Sequence, residues 1–124
     1  TRFPIVDLEK GGSIQGEIDA LSRLLDLAIP AVPLVWKEGR TYLIPAHGRI
    51  CDQADLVQYR DMLAYIRDTV QDLIDGGKTL EQVKAADPTL PYRKQYAPPG
   101  SPVSADAFVE TIYKSLTAQK AKAK

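Results

Sequence analysis

Thr41-Tyr42-Leu43-Ile44-Pro45-Ala46-His47-Gly48-Arg49 is the stretch on which the reading of this chain turns. Thr41 to Ile44 are β-branched or aromatic, apart from Leu43, and read as a short strand. The turn that follows carries His47, the only histidine among 124 residues. An imidazole just past a strand end, between the small residues Ala46 and Gly48, is free to point into a shared cleft. That placement suits a metal ligand. One imidazole does not build a metal site alone, because zinc takes three or four protein ligands. The plainer role is a turn histidine hydrogen-bonded to a carboxylate.

Upstream, residues 32–36 form a second apolar run ending in Trp36, and residues 37–40 read as a turn, so the two runs suggest a hairpin. Pro30 and Pro33 make the first run an edge strand at best. Trp36, beside this turn, is a candidate interface residue as well as a core residue. Further back, Ser13 offers an N-cap. Ile14, Ile18, Leu21, Leu25 and Ala28 follow three and four apart, as one helical stripe. Pro30 should end that helix near Ile29.

Downstream, Asp52 caps the strongest helix, in which Leu56, Tyr59, Leu63, Ile66, Val70 and Leu73 line one face. Gly76-Gly77 should end it, with glycine in a left-handed position. Thr79 and Gln82 have capping-box spacing for a short third helix that stops before Asp87-Pro88. Residues 87–103 hold five prolines and no periodicity, and read as a long surface loop. Ser104 caps a last helix with Phe108, Ile112 and Leu116 on one face. Residues 117–124 read as a frayed tail.

Hydrophobic residues make up 44% and charged residues 26%, which fits one domain with its own core. Lys plus Arg equal Asp plus Glu. That balance argues against nucleic acid as a main partner, since phosphate binding favours a basic excess. No apolar run approaches the roughly 20 residues of a membrane span, and no signal peptide is visible. A lone cysteine, Cys51, excludes an internal disulfide. It lies four residues after His47, but no further Cys or His completes a metal set, and a small, partly buried thiol is the simpler reading. Arg49 is placed either to contact an anionic substrate or to pair with Asp52 or Asp55.

The order of parts resembles the C-terminal portion of metallo-β-lactamase-fold hydrolases. A glycine-led helix, the Tyr-Leu-Ile-Pro-Ala-His-Gly strand end, a long helix, Gly76-Gly77 and a Thr-Leu-Glu-Gln-Val helix follow in turn, from about Gly11 to the final helix. In that family a strand commonly ends in Pro-Gly-His-Gly and its histidine binds zinc. Here Pro45, Ala46, His47 and Gly48 stand in those places. Ala46 replaces glycine, which fits only if its φ is negative. The resemblance implies that His47 would help hold the second of a pair of zinc ions. Its other ring nitrogen would need an acceptor, for which Asp52 and Asp55 are candidates. The family's His-x-His-x-Asp-His cluster is not in these residues, which hold no second histidine.

These readings together give an α+β expectation: half of an αββα sandwich, with about four helices and a short β element of two or a few strands. The expected function is that of a C-terminal segment of a zinc-dependent hydrolase, inactive alone and acting on a small-molecule substrate only when joined to an N-terminal half. A second copy of the chain is the other expected partner, because an exposed strand at residues 41–44 is a template for pairing. The alternative is a non-catalytic, self-associating α+β interaction module.

Overall fold

A computed structural model describes residues 2–30 and 39–122. Its helices are α1 Ile14–Leu27, α2 Gln53–Asp75, α3 Leu80–Ala85, α4 Arg93–Tyr96 and α5 Ala105–Lys122. Cap residues start α1, α2, α3 and α5 where the sequence indicates. Ser13 Oγ accepts the Gly16 amide at 2.9 Å, and Asp52 Oδ1 accepts those of Ala54 and Asp55 at 3.0 and 3.2 Å. Thr79 and Gln82 form a reciprocal capping box, so two orphan amides of the short α3 are satisfied. The C-terminus of α2 is closed by a Schellman pattern. The Lys78 amide donates to Leu73 O at 2.9 Å and the Gly77 amide to Ile74 O at 3.0 Å. Gly77 has φ +74° there, a conformation glycine adopts without a Cβ clash.

The core lies where α2 packs between α1 and α5. Ile14, Ile18 and Leu21 come from α1, and Leu56, Met62, Leu63, Ile66 and Val70 from α2. Phe108, Val109, Ile112 and Leu116 come from α5. The spacing of three and four residues puts each set on one stripe. The N-terminal segment seals one end. Phe3 stacks on Phe108 with centroids 4.5 Å apart, and its amide donates to Tyr96 O at 3.1 Å. Ser115 Oγ, buried on α5, accepts the Ile14 amide at 3.2 Å, supplying a partner for one of the unpaired donors at the start of α1.

The α+β expectation is overturned: this is a helical domain, not half of an αββα sandwich. Among the described residues there is no sheet, only a single antiparallel bridge between Leu43 and Cys51. The reason is local. Leu43 pairs with Cys51, but the chain opposite has only Ile50 and Cys51 before Asp52 caps α2. One rung therefore forms and no ladder follows. The Thr41 amide goes instead to Ile29 O at 3.0 Å, just beyond α1. The expected strand at residues 32–36, and Trp36 with it, lie outside the described residues.

Two further segments differ from the sequence reading. The proline-rich stretch at residues 87–103 contains α4. Its first turn forms where Thr89 O accepts the Tyr92 and Arg93 amides, both at 2.9 Å, and Tyr96 is buried. At the other end, α5 continues to Lys122, and Lys120 Nζ reaches Asp75 Oδ1 at 2.9 Å.

Candidate functional site

The bridge that fails to become a sheet closes a loop. Leu43 and Cys51 exchange both backbone hydrogen bonds, at 2.8 and 3.0 Å. The Cys51 thiol also lies 3.7 Å from Leu43 O. Between these residues the chain turns through Pro45, Ala46, His47 and Gly48. Among the described residues Asp87 alone has positive φ without being glycine, so Ala46 has the negative φ its Cβ requires. The unusual backbone falls on Gly48, at φ +118°.

Strand alternation sorts the side chains of this small hairpin. Leu43 packs against the helical core, and both Leu43 and Cys51 are half-buried. Tyr42, Ile44 and Ile50 face outward, with exposures of 57%, 82% and 59%. In the register set by the bridge, Ile44 stands opposite Ile50. The hairpin therefore rests one apolar face on the core and turns a second apolar face to solvent.

His47 is exposed at the tip. Among the described residues none hydrogen-bonds to its ring. Asp52 and Asp55 are engaged elsewhere. Asp52 Oδ1 caps α2, and Asp55 Oδ2 accepts the Asp52 amide at 3.2 Å, which completes a capping box. Asp55 Oδ1 accepts from the Arg49 guanidinium. Arg49 also donates to Ile50 O at 3.1 Å. Of the two roles open to Arg49, the ion pair is the one observed, and Asp55 is its partner. The Arg49 hydrogen bond, and then that of the Asp52 amide, hold the Asp55 carboxyl below the usual carboxylate range. Burial, followed by the Asp55 charge, raises the Cys51 thiol, so it is not an activated nucleophile.

Among the described residues no group of three or more His, Cys, Asp or Glu side chains is arranged to hold a metal ion. A single imidazole supplies one ligand of the three or four that zinc requires. Sequence reading named Asp55 as one possible partner of Arg49 but missed its other role, accepting the Asp52 amide in the capping box; the signal was the Asp-x-x-Asp spacing at the start of α2.

Comparison with known families, curated proteins and solved structures returns no match to this chain. Among the described residues no helix is long and apolar enough to cross a membrane.

Proposed function

We propose that this chain contributes one metal-ligating histidine, His47, to a zinc-dependent hydrolase of the metallo-β-lactamase type, with the other ligands supplied by polypeptide beyond these residues. The observation that carries the reading is the presentation of His47. Its ring is exposed, with no hydrogen-bond partner among the described residues, at the tip of a loop closed at its base by the Leu43–Cys51 bridge and tied along one side by Arg49 and Asp55. A ligand shared with another segment must be accessible before that segment arrives, and must be offered by backbone that is already ordered. The outward apolar side chains Tyr42, Ile44 and Ile50 supply a surface that the rest of such a protein would cover. The Pro-Ala-His-Gly sequence adds the resemblance. No catalytic step is assigned to the described residues.

The test is the metal content of the natural polypeptide that contains this sequence, purified with zinc present, beside its His47→Ala variant. Loss of one zinc per chain in the variant is the expected result. Equal zinc in both, or none in either, contradicts the reading.

The same outward side chains favour a second reading, a helical, non-catalytic module that associates with its own copies. Sedimentation of the 124-residue chain as a dimer, returned to monomer by Ile44→Lys without any zinc dependence, would favour that reading over the first.

A further inference from the structure

We propose that Asp55 is a positioning residue for His47, coupling the start of α2 to the loop that carries the imidazole; this rests on the metal-ligand reading above only for its consequence, not for its geometry. The two carboxylate oxygens of Asp55 do different work. Oδ2 accepts the Asp52 amide at 3.2 Å and belongs to the helix cap. Oδ1 accepts from the Arg49 guanidinium and belongs to the loop. A capping box needs only the first of these contacts, and Gln82 of α3 performs that role without any charge. The second contact ties the outgoing arm of the loop, two residues past His47, to a long helix anchored in the core by Leu56 and Leu63.

The rest of the loop has few constraints of its own. The bridge fixes Leu43 and Cys51, but Ile44, Ala46, His47 and Gly48 are exposed, and Gly48 stands at φ +118°. Among the described residues, the tip without the Arg49 tie is hydrogen-bonded at its base alone. With it, Arg49 is held between Asp55 and the carbonyl of Ile50, at 3.1 Å, and the backbone from Gly48 to Cys51 has one favoured path. The pair is partly exposed, with 72% of the Arg49 side chain and 28% of the Asp55 side chain accessible. Exposed pairs contribute little to overall stability, so loop order is the property expected to respond.

The experiment is backbone relaxation by nuclear magnetic resonance on the 124-residue chain, with three variants. Asp55→Asn keeps an acceptor for the Asp52 amide and turns an NH2 group toward the guanidinium. Arg49→Ala removes the tie without touching the cap, and Arg49→Lys restores a charge. In the wild type the amides of His47 and Gly48 should show order parameters near 0.85, falling below about 0.6 in Asp55→Asn and Arg49→Ala and recovering in Arg49→Lys. Helix content should not change. In the natural polypeptide the two disruptive variants should weaken zinc binding by about 10–100-fold. Unchanged order parameters in both would overturn the positioning role. Lost order with unchanged zinc affinity would leave that role standing and count against His47 as the ligand.

Discussion

Gly48 sets the shape of the loop one residue after the histidine. At φ +118° its backbone occupies a region that a Cβ disfavours. Gly48→Ala should destabilise the chain by about 1–3 kcal/mol, measured by urea unfolding, and the loss should appear first in the loop amides. A loss below a few tenths of a kcal/mol would mean that the loop adopts another path. The turn itself was legible in the sequence, because Pro45, Ala46 and Gly48 surround a single histidine after an apolar run. The partner of Arg49 was not, since Asp52 and Asp55 are both within reach along the chain. Cap geometry decides between them: Asp52 must turn its carboxylate onto the first helical amides, which leaves Asp55 the oxygen that faces Arg49.

At the scale of elements, the long helices were readable because stripe and cap agreed for each, and a stop signal closed α1 and α2. The α2 stripe predicted the buried Leu56, Leu63, Ile66 and Val70, and missed Met62, which sits beside the stripe and fills the core as an unbranched side chain can. The α4 turn was hidden by prolines. Its signal, Tyr92 and Tyr96 four apart, is too short to show a period. The strands misled for the opposite reason. Residues 41–44 have real β-propensity, but propensity cannot show that the opposing chain ends after one rung.

The α3–α5 junction yields a pH prediction. Glu110 accepts from Lys114 and Lys84, both at 2.7 Å, and those hydrogen bonds, Lys114 first, hold its carboxyl at about 2 against an ordinary 4.5. Folding therefore favours the ionised form. The stabilisation is complete above pH 4.5 and is lost as pH falls toward 2. The difference in melting temperature between the wild type and Glu110→Gln should be largest above roughly pH 5, shrink steadily below it, and narrow with added salt. A difference that stays constant across this range would contradict the assignment.

At the scale of the whole molecule, the chain has one well-filled core and one unfilled requirement. Three helices bury their stripes against each other, while the hairpin buries Leu43 and leaves Tyr42, Ile44 and Ile50 outward. Such side chains are costly to leave in water, and in the reading proposed above the rest of the protein covers them. His47 lies three residues from both Ile44 and Ile50 along the chain, so in that reading a segment that covers them also approaches the ring. That juxtaposition joins the fold to the proposed chemistry, and it was only partly visible in the sequence. Periodicity located the helices, but the outward direction of the hairpin depends on the pairing of Leu43 with Cys51 across eight residues.

The most direct measurement follows the two ring nitrogens of His47 by nuclear magnetic resonance as zinc is added to the natural polypeptide with its histidines labelled, the signal identified by its loss in His47→Ala. Direct ligation predicts that one ring nitrogen shifts and saturates at one zinc per His47 while the other keeps its proton. Ring signals that do not move while zinc binds elsewhere, or that stay unchanged throughout, would contradict it.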